Sequence, residues 1–131
     1  MSVVKVTLTQ LVGAFRKHYA FSLNEDEISH ILILFYAVEC GLKANYLKKY
    51  NRLNTDDFEI LPVNRKFGHG HDLIAWVKDL KIPALGYIDD RKNKPIVQMH
   101  ERLRYGTYSP KTEKSQVEFL RNLSAYLKKV L

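Results

Sequence analysis

Residues 22–50 read SLNEDEISHILILFYAVECGLKANYLKKY, and no other stretch of the chain limits the possible folds as strongly. Asn24 is placed to cap a helix, Glu27 three residues later can close a capping box, and Glu25, Asp26 and Glu27 put negative charge on the positive end of the dipole. Leu23 and Ile28 have the spacing of a hydrophobic staple. Ile28, Ile31, Leu32, Phe35, Leu42 and Tyr46 then recur at three- and four-residue intervals, while Ile33, Leu34, Tyr36 and Val38 fall on other faces. A helix this apolar around its first half lies at the centre of a fold or has a second chain against it. Its second half brings in Lys43, Lys48, Lys49 and Arg52, which predicts a solvated, basic end.

A chain of 131 residues has room for one domain, 1–131, with a core that needs neither disulfides nor a structural metal. At 46% apolar residues it reads as an ordered globular protein rather than a linker. The lone Cys40 excludes an internal disulfide and is expected as a buried, inert thiol. The N-terminus has no signal-peptide pattern and no apolar run approaches the ~20 residues of a membrane span, so the expectation is a cytoplasmic protein without membrane contact. A net charge of +7 makes polyanions natural partners. The basic residues are scattered, however, and only the fold decides whether they converge.

In chain order, Thr7 and Gln10 are placed to cap a first helix with apolar positions Leu8, Leu11, Val12, Phe15 and Tyr19, joined by residues 22–24 to the long helix as an antiparallel hairpin. Residues 58–63 read as an irregular segment with at most a short turn. A third helix runs from Asp72 through Leu80 and stops before Pro83; residues 83–93 read as a loop in which 84–88 has weak strand character. Pro95 starts a fourth helix that Gly106 ends. Ser115 and Glu118 have capping-box spacing for a last helix with the stripe Phe119, Leu120, Leu123, Tyr126, Leu127 and Val130. The pattern predicts an all-α, antiparallel up-and-down bundle of four to five helices.

Two clusters carry chemistry. In RKFGHGHD, residues 65–72, glycines break the chain immediately before a helix. Arg65, His69 and His71 there suit a phosphate and proton movement near neutral pH, whereas the structural alternative is that His71 and Asp72 only cap the helix. In HERLRYGTYSP, residues 100–110, Arg102, Arg104 and Tyr105 suit phosphate contact and base stacking in single-stranded RNA; the alternative is an arginine–carboxylate pair and a packed tyrosine. Lys48 and Lys49 add basic charge at the end of the long helix. No metal is expected, because beyond His69 and His71 no ligand spacing stands out, and phosphate-loop, dinucleotide and nucleophile-elbow motifs are absent, so no cofactor is expected either.

Three pieces in order carry a family resemblance: AVECGLKANYLKK at 37–49, GHGHDL at 68–73 and ERLRYGTYSP at 101–110. Together they resemble the HEPN superfamily, the helical domains of prokaryotic toxin and antiviral ribonucleases and their non-catalytic relatives. The resemblance implies a four- or five-helix bundle, a homodimer, RNA or a nucleotide-containing ligand, and an antitoxin or defence-system partner protein. In active members an arginine followed after four to six residues by a histidine forms a metal-independent ribonuclease site across the dimer. Arg65 and His71 have that spacing here. The motif belongs later in the family pattern, after Arg102 or Arg104, where Thr107, Tyr108 and Ser109 stand instead of histidine. The resemblance therefore points first to RNA binding, with cleavage by Arg65 and His71 as the alternative, and a pure protein-interaction module as a third reading.

Overall fold

Thr7 and Gln10 close the capping box expected of them: the Thr7 amide donates to Gln10 Oε1 at 2.9 Å and the Gln10 amide to Thr7 Oγ1 at 3.1 Å. Helix α1 follows as Leu8–Ser22. The computed structural model describes residues 6–22, 27–83 and 95–131, and within these the chain is an all-α bundle. After α1 come α2 (Ile28–Lys49), α3 (Leu73–Asp79), α4 (Met99–Arg104) and α5 (Lys114–Val130), with short 3-10 segments at Thr55–Ile60 and Ile96–Gln98. Among the described residues there is no strand, only one antiparallel bridge between Thr7 and Asn54.

Helix α2 is the centre of the bundle. Ile31, Leu34, Phe35, Ala37, Val38, Leu42, Ala44, Tyr46 and Leu47 are all buried, around most of its circumference, which is why its first half needs so little polar surface. It begins at Ile28 with Glu27 as N-cap and no side-chain cap, later than the expected box; Leu23, Asn24, Glu25 and Asp26 lie outside the described residues, as does the segment 84–88.

Gly41 lets α1 and α5 close on α2. An added Cβ would lie 2.8 Å from Leu127 Cδ1 and 3.0 Å from Phe15 Cδ1. Lys48 reaches the carbonyl of Val130, so α5 runs in the same sense as α2. Its antiparallel partner is α1, since Arg121 reaches the Ser22 carbonyl and Arg16 that of Leu131. The Ser115–Glu118 box does not form: α5 begins at Lys114 with Glu113 as N-cap, before the expected cap at Ser115. The Glu113 carboxylate is used by Arg102 and the Ser109 amide. That pairing ties the start of α5 to the end of α4 and leaves Ser115 inside the helix.

Candidate functional site

The segment before α3 is a run of turns with Asn64, Gly68 and Gly70 at positive φ. Gly68 lies on the Trp76 ring, where a Cβ would come within 2.4 Å of Cη2. The Trp76 indole in turn donates to the Gly70 carbonyl at 2.9 Å. This loop is pinned to the core, and its two histidines take different directions. His69 turns inward, bonded through Nε2 to Asp79 Oδ2 at 2.9 Å and set edge-on to Trp76. Asp72 caps α3 by accepting from the Ala75 amide at 3.2 Å, the structural role foreseen for it.

His71 turns towards α2. Its Nδ1 lies 2.5 Å from Oε1 of Glu39, a buried carboxylate on an otherwise apolar stretch of that helix. An ionised carboxylate only accepts, so Nδ1 carries the hydrogen and Nε2 is the nitrogen left for other work. The His71 side chain is 49% exposed. The His100 ring from α4 stacks on it with centroids 3.8 Å apart and 11° between planes. Phe35 packs against both rings, and His100 Nε2 meets the Tyr36 hydroxyl at 3.1 Å. Burial lowers the pKa of His100 from 6.5, and positive charge on His71 and Arg104 lowers it further, against the opposing pull of Glu39 and Glu101. Three segments remote in sequence thus meet at one pair of imidazoles.

The basic residues divide into engaged and exposed ones. Lys48 and Lys49 donate to the carbonyls of Val130 and Asp79, each at 3.2 Å, at the ends of α5 and α3. Arg102 makes a two-pronged pair with Glu113 and lies over the Tyr108 ring, the structural alternative foreseen for it. Arg104 lies 5.9 Å from the centre of the Tyr105 ring, which is 68% exposed. Arg65 is exposed, and no hydrogen bond joins it to His71.

Glu39 entered the sequence reading only as part of the family-like segment at 37–49, with no role of its own, and His100 only as part of its cluster, while Tyr36 was not singled out. The signal for Glu39 was a single acid amid the apolar run AVECGL, which has to find a partner when buried. No comparable signal marks His100. Among the described residues no group of three or more histidines, cysteines, aspartates or glutamates is placed to hold a metal. Stacked rings aim their nitrogens along parallel planes rather than at one point. A groove of about 790 Å³ between the starts of α2 and α5, lined by Ile28, Lys111, Lys114 and Val117, lies away from the histidines. No described helix is long and apolar enough to cross a membrane. In comparisons with family models, curated proteins and solved structures, the chain matches none of them.

Proposed function

We propose that this chain is a HEPN-like helical protein that binds RNA or a nucleotide-containing partner, as a homodimer within a toxin-antitoxin or phage-defence system. The single observation that carries the reading is the meeting of Glu39 from the first motif segment and His71 from the second with His100, the residue immediately before the third, beside the exposed Arg104 and Tyr105. In this reading His71, protonated at Nε2, and the guanidinium of Arg104 donate to phosphate, and Tyr105 stacks on a base. Half-buried Leu32, Ile33 and Tyr36 are the part of α2 left to a second copy.

Fluorescence anisotropy with single-stranded RNA tests it. Removing one stacking ring and one phosphate contact together in Arg104→Ala/Tyr105→Ala should weaken binding by about tenfold or more, and rising salt should weaken wild type steeply. Absent binding, or binding indifferent to salt, sinks the RNA reading. Light scattering that returns a monomer at high concentration removes the homodimer from it.

Catalysis is the second reading, favoured by the Glu39–His71 bond. A buried carboxylate that orients a half-exposed imidazole and leaves its other nitrogen unbonded among the described residues is the arrangement of a general acid or base, with Arg65 as the group that stabilises phosphorane charge. Structured RNA incubated in EDTA with wild type or Arg65→Ala/His71→Ala decides this. Equal cleavage by the two proteins removes the ribonuclease reading.

A further inference from the structure

The two stacked imidazoles are surrounded by groups that decide where a proton can go. From α2 the pair faces Phe35, Tyr36 and Glu39, and from α4 Glu101 and Arg104 act on it. Glu39 holds the Nδ1 hydrogen of His71, while Nε2 of that ring has no hydrogen-bond partner among the described residues. His100 Nε2 is bonded to a phenol, which both donates and accepts. A neutral His100 accepts there from Tyr36; a protonated His100 donates, and the Tyr36 hydroxyl turns to receive it. Either protonation state keeps the bond, so the cluster can hold one more proton without leaving a buried polar group unsatisfied.

What opposes that proton is charge. The His71 ring lies against that of His100, so a charge on one opposes a charge on the other, and Arg104 acts from the same helix, while Glu39 supplies the nearest compensation. An anion accepting from the Nε2–H of a protonated His71 and from the Arg104 guanidinium would relieve this repulsion, the more so the greater its charge. A phosphodiester within a chain carries one negative charge, whereas a terminal phosphomonoester approaches two and offers three acceptor oxygens.

We propose that the His71–His100 stack is a binding site for a terminal phosphomonoester, on an RNA end or a nucleotide, and that His100 takes up a proton from solvent as the dianion binds. The proposal rests on the RNA- or nucleotide-binding reading above and adds to it which phosphate is recognised and how binding follows pH. His71 and Arg104 touch the phosphate; His100 is a positioning residue that acts through its charge on His71. Because burial and its positive neighbours keep His100 neutral in the free protein near neutral pH, the proton arrives with the ligand.

Two measurements on the full chain test this. Two oligoribonucleotides of one sequence, with a 5′-phosphate or a 5′-hydroxyl, are compared by anisotropy; the phosphorylated one should bind about tenfold tighter at about pH 6.5, with the advantage shrinking at about pH 8. Calorimetry with inorganic sulfate, a dianion that does not itself titrate there, in buffers of different ionisation enthalpy should show close to one proton taken up per anion bound. His100→Gln should lower the uptake, and an unchanged uptake in that variant overturns the proposal. Tyr36→Phe, which keeps the ring and removes the hydroxyl that must accept from protonated His100, should reduce it and serves if His100→Gln does not fold. Equal affinity for the two oligonucleotides, or sulfate binding without proton uptake, overturns the proposal while RNA binding stands. Failure of both oligonucleotides to bind while sulfate still binds with a proton sinks the RNA reading and leaves the anion site.

Discussion

At position 68 the backbone has φ +61° and the Trp76 ring fills the space where a side chain would begin. At position 70 φ is +56° and nothing lies within 4 Å. The two glycines separate backbone strain from steric clash. Gly70→Ala should cost about 1–2 kcal/mol, the left-handed penalty alone, and Gly68→Ala about 2–4 kcal/mol because overpacking against the indole is added. Thermal unfolding of the two variants reads the difference; similar losses would mean that Trp76 moves aside freely. His100 gives the second prediction at this scale. Its folded pKa lies below 6.5, so its contribution to stability is complete above 6.5 and is lost as pH falls through the folded value. The fall in melting temperature from about pH 7.5 to about pH 5 should therefore be smaller in His100→Gln than in wild type. A fall of the same size in both proteins would rule out His100 as a source.

Between elements, the Arg102–Glu113 pair joins the end of α4 to the start of α5. Glu113 is buried and Arg102 mostly so, with the Tyr108 ring beside the guanidinium. Arg102→Ala would leave a buried carboxylate with only the Ser109 amide and should cost about 3 kcal/mol, while Arg102→Met/Glu113→Leu should recover most of that loss. Urea denaturation of the single and double variants measures the recovery. A double variant as unstable as the single one would show that the pair does more than cancel its own charges. At the same junction Gly106, with φ +72°, ends α4 by a Schellman motif: its amide donates to Leu103 and that of Thr107 to Arg102. Gly106 was readable as a stop because the motif is local. An arginine–carboxylate pair was readable as a type but its partner was not, because Glu113 lies eleven residues on from Arg102 and nothing in the intervening residues marks it.

Across the whole molecule, α1, α2 and α5 meet at Gly41. Helix propensity alone favours a side chain there by about 1 kcal/mol, but the close approach of Phe15 and Leu127 opposes it. Gly41→Val should lower stability by about 2 kcal/mol, since a branched side chain pushes two helices off the central one at once. A shift of the urea midpoint to lower concentration is expected; an unchanged midpoint would mean that α1 and α5 yield without loss. The same packing explains why the basic residues do not form one stripe. Lys48 and Lys49 are drawn to the carbonyl ends of α5 and α3, and Arg102 into the α4–α5 junction. Arg104 and Arg65 stay exposed.

What the sequence determined by itself is what depends on neighbours along the chain. The Thr7–Gln10 box, the Asp72 cap and the stop at Gly106 are each made by groups within five residues, and the apolar periodicity of residues 28–47 sufficed to make α2 central, whereas Pro95 precedes a 3-10 segment and the expected fourth helix begins only at Met99. Tertiary structure alone decided the start of α5, the sense in which it packs, and the site. Glu39 is separated from His71 by 32 residues and Tyr36 from His100 by 64, and no local pattern encodes such distances. The two imidazoles meet because α2 buries its apolar faces against α3 and α4, which carries a lone acid and a tyrosine to the histidines of two other segments.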